Sequence, residues 1–174
     1  MGRIDIYTVA AGQSQTAMDQ PSSSQPGQRA PYVVIAGYGL PGRSLVEFFA
    51  RSEIEYVVIE LNPQTCERAA AGGIRMIAGS TADPEVLSRA GVQRATLVAL
   101  MVPNDEVVLA AIPHIRRLNP DAYIIARCSF TSTGLEAMRR GANQSIVAEQ
   151  VIARELQNIT MQLYPSLREP GASQ

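Results

Sequence analysis

Lysine is absent from this 174-residue chain: all 15 of its basic residues are arginine. That excludes any chemistry that needs a lysine amine, whether as Schiff base or as general base. Histidine is scarce as well. The single one, His114, falls inside a stretch of helical periodicity and reads as structural or interfacial. The two cysteines, Cys66 and Cys128, lie far apart with no neighbouring Cys or His, so the clustered ligand pairs of a zinc site are missing and no metal is expected. Nothing marks the chain for secretion, so both thiols are expected to be reduced and buried. Long apolar runs are lacking too; the longest, residues 95–103, is about half of the ~20 residues that a bilayer span requires. The net charge of −1 offers no basic footprint for nucleic acid.

What the chain does contain is core material. Hydrophobic residues make up 46% and charged residues 18%, which suits one globular domain. Residues 1–30 stand apart. Positions 12–30 are rich in Gln, Ser, Pro and Gly and read as a flexible linker, although Ile4-Asp5-Ile6-Tyr7-Thr8-Val9 alternates like a short strand. The ordered domain is expected over 31–163, with 164–174 as a frayed tail.

Within 31–163 apolar, β-branched runs recur at Tyr32–Ala36, Tyr56–Ile59, Arg75–Ala78, Thr96–Leu100, Tyr123–Ala126 and Ser145–Val147. Runs such as Val33-Val34-Ile35 and Val57-Val58-Ile59 lack polar alternation, the mark of parallel strands covered on both faces. Helical stretches fill the gaps: Pro41–Ser52 (with Leu45, Phe48 and Phe49 on one face), Pro63–Ala71, Pro84–Ala90, Asp105–Leu118, Thr133–Arg140 and Val147–Leu163. Asn62 and Asp83 precede prolines that open helices, so both read as N-caps. Pro113 lies inside a helix, where it deletes the bond to Leu109 and is expected to kink it. Six strands alternating with helices predict an α/β, three-layer αβα fold. It is a doubly wound parallel six-stranded Rossmann sheet of order 3-2-1-4-5-6. Right-handed crossovers then gather the strand carboxyl ends along one ligand edge.

The chemistry sits on that edge. Gly37-Tyr38-Gly39-Leu40-Pro41-Gly42 directly follows the first strand and opens the first helix, the context that a Gly-x-Gly-x-x-Gly phosphate loop requires. Gly37 permits the turn, Gly39 lets backbone approach a pyrophosphate, and Gly42 lets helix and sheet pack closely. N–H groups at the helix start then face the phosphates. Glu60 ends the second strand, where a carboxylate accepts bonds from adenosine ribose hydroxyls. It also repels a 2′-phosphate, and the adjoining Leu61-Asn62 offers no arginine, so NADP is disfavoured. The same edge carries Gly79, Ser80 and Thr81 after the third strand, Met101 after the fourth, and Arg127 at the end of the fifth, which reads either as a phosphate contact or as a surface arginine.

Three segments together carry a family resemblance: the loop Gly37 to Gly42, then Val57-Val58-Ile59-Glu60-Leu61-Asn62-Pro63, then Asp83-Pro84-Glu85-Val86-Leu87-Ser88-Arg89-Ala90-Gly91-Val92. With Leu118-Asn119-Pro120-Asp121 and Gly141-Ala142-Asn143 they resemble the RCK (KTN, Trk-type N-terminal) domains, which regulate potassium channels, Trk/Ktr uptake systems and cation/proton antiporters. The resemblance implies a regulatory domain, not an enzyme, that binds NAD(H), ATP, ADP or AMP without turning it over. It also implies pairing into a homodimer or higher even oligomer through Asp105–Leu118 and Thr133–Arg140. The location implied is cytoplasmic, at the inner face of a membrane, beside a potassium or cation transport protein. One departure stands out: Gly79-Ser80-Thr81-Ala82 replaces the family's Gly-Asp-Ala-Thr, so the aspartate of the adenine contact is lost. Two other readings compete: a small NAD-dependent oxidoreductase or subunit of one, and a structural adaptor with a degenerate pocket.

Overall fold

The unbroken apolar run Tyr32–Ala36 becomes strand β1 and is buried along its whole length, which only a central position in a sheet covered on both faces allows. It comes from a computed structural model, which describes residues 30–164. The expected strand Ile4–Val9, nearly all of the 1–30 linker and the tail beyond Tyr164 lie outside the described residues. Around β1 stand β2 (Glu55–Glu60), β3 (Met76–Ala78), β4 (Leu97–Leu100), β5 (Tyr123–Cys128) and β6 (Gln144–Val147), all parallel, in the order β3-β2-β1-β4-β5-β6. The expected Rossmann topology is the observed one.

The pleat divides the core into two. Val33, Ile35 and Val58 turn to one face and meet Val46 and Phe49 of helix α1 (Leu40–Arg51). Val34, Ala36, Val57 and Ile59 turn to the other. There they join Leu87 of α3 (Pro84–Arg89), Val108, Ile112 and Ile115 of α4 (Asp105–Leu118), and Ala137 of α5 (Thr131–Arg139). Helix α2 (Pro63–Ala71) packs beside α1's face of β2 and β3. The buried face of α1 is Gly42, Val46 and Phe49, one step round from the predicted Leu45-Phe48-Phe49 face, and Phe48 is left 55% exposed. Gly42 explains the rotation. It packs directly beneath the loop carbonyl of Gly37, and residues four and seven further on then share its face.

Caps follow the sequence reading. The Asn62 side chain accepts from Thr65 N–H at 3.2 Å and Asp83 from Glu85 N–H at 2.9 Å, and Gly91 takes the left-handed conformation after α3. A 3₁₀ turn, Val92–Arg94, then leads into β4. Helix α4 continues through Pro113 as one unbroken helix, so the expected kink does not interrupt it. The proline removes the donor to Leu109, and Arg140 Nη1, reaching from the end of α5, donates to that carbonyl at 3.2 Å.

Two family-like segments prove to be structural pins. Asn119, 8% exposed, donates to the carbonyls of Val92 and Ala95 at 2.8 and 2.9 Å. Arg116 donates to the carbonyls of Gly141, Pro120 and Ala122 and to Asn143 Oδ1, and Asn143 in turn accepts from Ile124 N–H.

The far half of the sheet is covered differently. Along β5, Ile124, Ala126 and Cys128 are wholly buried, whereas Tyr123 remains 45% exposed, and Ile146 of β6, paired with Arg127, 38%. Helix α6 (Ala148–Leu163) follows β6 without an intervening residue, and none of its side chains is buried. Its apolar stripe, predicted from Val147 to Leu163, is therefore open at Val151, Ile152, Leu156, Ile159 and Leu163. No helix among the described residues is long and apolar enough to cross a membrane.

Candidate nucleotide-binding site

The glycine loop is built by contacts that each forbid a side chain for a different reason. Gly37 has φ +97°, and a Cβ there would meet Val102 N at 3.0 Å. A Cβ on Gly42 would overlap the Gly37 carbonyl oxygen. Gly39 differs from both: its backbone is ordinary extended, and a Cβ would meet nothing nearer than Pro41 Cδ at 3.9 Å. No internal contact explains Gly39, so the close approach it permits faces outward.

Helix α1 starts at that point with Gly39 as its N-cap and no side chain capping it, and Pro41 sits in the first turn. Gly39, Leu40 and Pro41 are exposed. The first-turn N–H groups of α1 are thus uncapped at the carboxyl edge of the sheet, whereas the starts of α2, α3 and α4 are closed by Asn62, Asp83 and Asn104.

Glu60 is aimed at this loop. Its Oε2 accepts from Tyr38 N–H and its Oε1 from Asn62 N–H, both at 2.9 Å. Sequence reasoning assigned this carboxylate to a sugar and missed that it first ties the glycine loop to the end of β2. Each oxygen keeps a second lone pair. Beside it Glu60, Leu61, Asn62, Pro63 and Gln64 line an open hollow of about 440 Å³. Cys66 lies beneath, donating to the Glu60 carbonyl at 3.4 Å; burial, and then the charges of Glu60 and Glu67, push its thiol pKa up.

The remaining predicted residues divide. Gly79 donates to the Glu60 carbonyl at 3.0 Å and, with Ser80, is half-buried at the β3 rim. Thr81, at 3% exposure, is turned into the protein and leaves that rim to its two predecessors. Ser80 Oγ is engaged by Ala82 N–H at 3.3 Å. Met101 donates its N–H to Ala36 O at 2.7 Å and is itself nearly buried, so it forms floor more than wall. Arg127, on the same side of β5 as Tyr123 and Ile125, has one long contact, to Val102 O at 3.5 Å, and no carboxylate partner among the described residues. Missed entirely was Asp105. Its carboxylate accepts from Ser129 N–H at 3.0 and 3.1 Å and from Ser129 Oγ at 3.1 Å, lashing the loop after β5 to the start of α4. Its place just after the Asn104 cap was the available signal.

Comparison with known proteins settles the family. The TrkA-N domain profile matches residues 33–148. The chain belongs to the TrkA-N domain family. Among curated relatives, the Escherichia coli protein named as cation/proton antiporter YbaL is 31% identical over 125 residues, 72% of this chain and 22% of the relative. The protein named as K⁺ efflux antiporter KefB of Alkalimonas amylolytica is 26% identical over 115 residues, 66% of this chain and 17% of the relative. The chain thus spans only about a fifth of the length of these relatives. Among solved structures, the TrkA-N domain of inner membrane protein YbaL from Escherichia coli superposes with a TM-score of 0.72 at 29% identity, covering 76% of this chain and 98% of that one. The GsuK channel bound to NAD gives 0.67 at 22% identity, covering 79% and 25%, a likeness of fold alone. The resemblance drawn from the glycine loop and the two segments after it is therefore correct, and this TrkA-N domain is related to parts of potassium and cation transport proteins.

Proposed function

We propose that this TrkA-N domain is a nucleotide-sensing regulatory domain that controls a potassium or cation transport protein from the cytoplasmic side of a membrane. The observation that carries the reading is the uncapped start of α1 at Gly39, beside Glu60 and its open hollow. A pyrophosphate on the N–H groups of the first turn and a ribose at the second lone pairs of Glu60 use what the fold leaves unsatisfied. NAD(H) fits both elements, and ATP, ADP and AMP share the adenosine end. Arg127 approaches from the β5 side as a third, cationic contact.

Among the described residues no acid–base pair is arranged beside the loop, and the thiol under it, Cys66, has its pKa raised, first by burial. Cys128 is buried with its pKa raised, by burial first and by Asp105 second, which makes it a poor nucleophile. Binding without turnover is what a sensor requires.

The sensor acts as a homodimer in this reading. The sequence expectation put pairing on α4 and α5, and exposed apolar surface does occur on α5 at Leu135 and Met138. A larger share is on α6. Because no residue separates β6 from α6, the helix has no turn with which to fold back over its own sheet, and a second copy is the partner that buries its stripe.

A thermal-shift panel of NAD⁺, NADH, ATP, ADP and AMP tests the reading. A bound nucleotide at 100 times its Kd adds ~2.7 kcal/mol of stability. Absence of any shift at millimolar nucleotide overturns it, and so does steady turnover of NADH with a carbonyl substrate.

A further inference from the structure

Two arginines flank the cleft between α1 and α2 without a carboxylate partner among the described residues. Arg43, one turn into α1, holds its guanidinium 6.0 Å from the centre of the Tyr38 ring. Arg68 of α2 makes one contact, Nε to Gln64 O at 3.3 Å. Together with Tyr38, Thr65 and Ala69 they line a hollow of about 450 Å³. Its polar side chains are two guanidiniums and two hydroxyls, so donors crowd it and no carboxylate answers them. Four other arginines of the domain are paired, Arg75 and Arg94 with Glu55 and Arg139 and Arg140 with Glu136, whereas Arg43 and Arg68 face one hollow together. Two cations around one concavity repel each other until an anion enters, and a phosphate matches the guanidinium fork.

The position of the hollow names the phosphate. Tyr38 lines it and also gives its N–H to Glu60; Thr65 lines it and is capped by Asn62, whose own N–H bonds the other oxygen of Glu60. Both walls are thus tied to the carboxylate assigned to the sugar.

We propose that this hollow is an anion subsite for a phosphate monoester, presented on the ribose of the nucleotide held by the glycine loop. This rests on the nucleotide reading above and revises the expectation for NADP. The residues next to Glu60 in sequence offer no arginine, but the fold brings Arg43 and Arg68 in from two neighbouring helices. The charge of Glu60 is already met by two backbone N–H groups, which lessens its repulsion of a 2′-phosphate.

Calorimetric titration of the full chain with 5′-AMP, 2′,5′-ADP, NAD⁺ and inorganic phosphate separates the possibilities, using wild type and the Arg43→Ala/Arg68→Ala double variant. The expected gain of 2′,5′-ADP over 5′-AMP is about 5- to 10-fold, the worth of a partly exposed charge-assisted hydrogen bond. The double variant should lose that gain while binding 5′-AMP as before. Arginine-dependent binding of inorganic phosphate with no gain for 2′,5′-ADP supports the subsite but assigns it to free phosphate. Equal affinity for the two nucleotides with no phosphate binding overturns the proposal, as does a gain that survives in the double variant. Should neither 5′-AMP nor NAD⁺ bind, the nucleotide reading itself falls. The inorganic phosphate titration then decides the subsite alone: arginine-dependent binding upholds it and none overturns it.

Discussion

The halves of this sheet share one strand-helix rhythm yet end in different states. Around β1 and β2 both faces of the sheet are covered. Beside a few exposed apolar side chains such as Phe48, a cluster of polar groups is left open there: the uncapped first turn of α1, the spare lone pairs of Glu60, and Arg43 and Arg68. Around β5 and β6 Arg116 and Asp105 tie the loops together, Arg127 is left on the ligand edge, and the broad exposed surface is apolar: Tyr123, Ile146 and the stripe of α6. One half therefore offers chemistry to a small polar ligand and the other offers surface to a protein. The sensor role proposed above needs both on one body, and the continuous sheet joins them.

The largest effect expected is from Gly42→Val. Its side chain would drive into the Gly37 carbonyl and force α1 off the sheet, costing about 3 kcal/mol or more and abolishing nucleotide binding; chemical denaturation measures the first and a thermal-shift panel the second. Arg116→Ala should be next. It removes charge-assisted bonds to three carbonyls around the β5–β6 half, for a loss of about 2–3 kcal/mol with the nucleotide affinity of the surviving folded protein unchanged. Equal damage to binding would show that the halves are not separable in this way. Glu60→Ala should weaken nucleotide binding roughly 10- to 150-fold, since it loses a sugar contact and frees the Tyr38 N–H. Leu156→Asp should convert the proposed dimer to monomer in analytical ultracentrifugation while the nucleotide shift persists. The smallest effect is kinetic. Cys66 lies directly under Glu60, so nucleotide should slow its labelling by a thiol reagent more than that of Cys128.

Much of the first half was legible in the sequence because its signals are local. Strands β1 and β2 are unbroken apolar runs, the prolines after Asn62 and Asp83 mark capped helix starts, and Gly37, Gly39 and Gly42 sit in one loop between a strand and a helix. What escaped notice is made by residues far apart in the chain. Glu60 reaches Tyr38 across 22 positions, Arg140 repairs the gap left by Pro113 across 31 from Leu109, and Arg43 and Arg68 line one hollow only because α1 and α2 lie side by side. The stripe of α6 was read correctly as apolar. Its exposure depends on the absence of a turn after Val147, which periodicity does not report.

Gly39→Val bears most directly on the account, because that glycine alone in the loop has no internal reason to be one. Calorimetric titration of NAD⁺ into wild type and Gly39→Val, with the melting temperature of each, should give binding to the first, none to the second, and melting temperatures that agree. A variant that melts like wild type and still binds NAD⁺ with unchanged affinity would contradict the claim that phosphates rest on this turn.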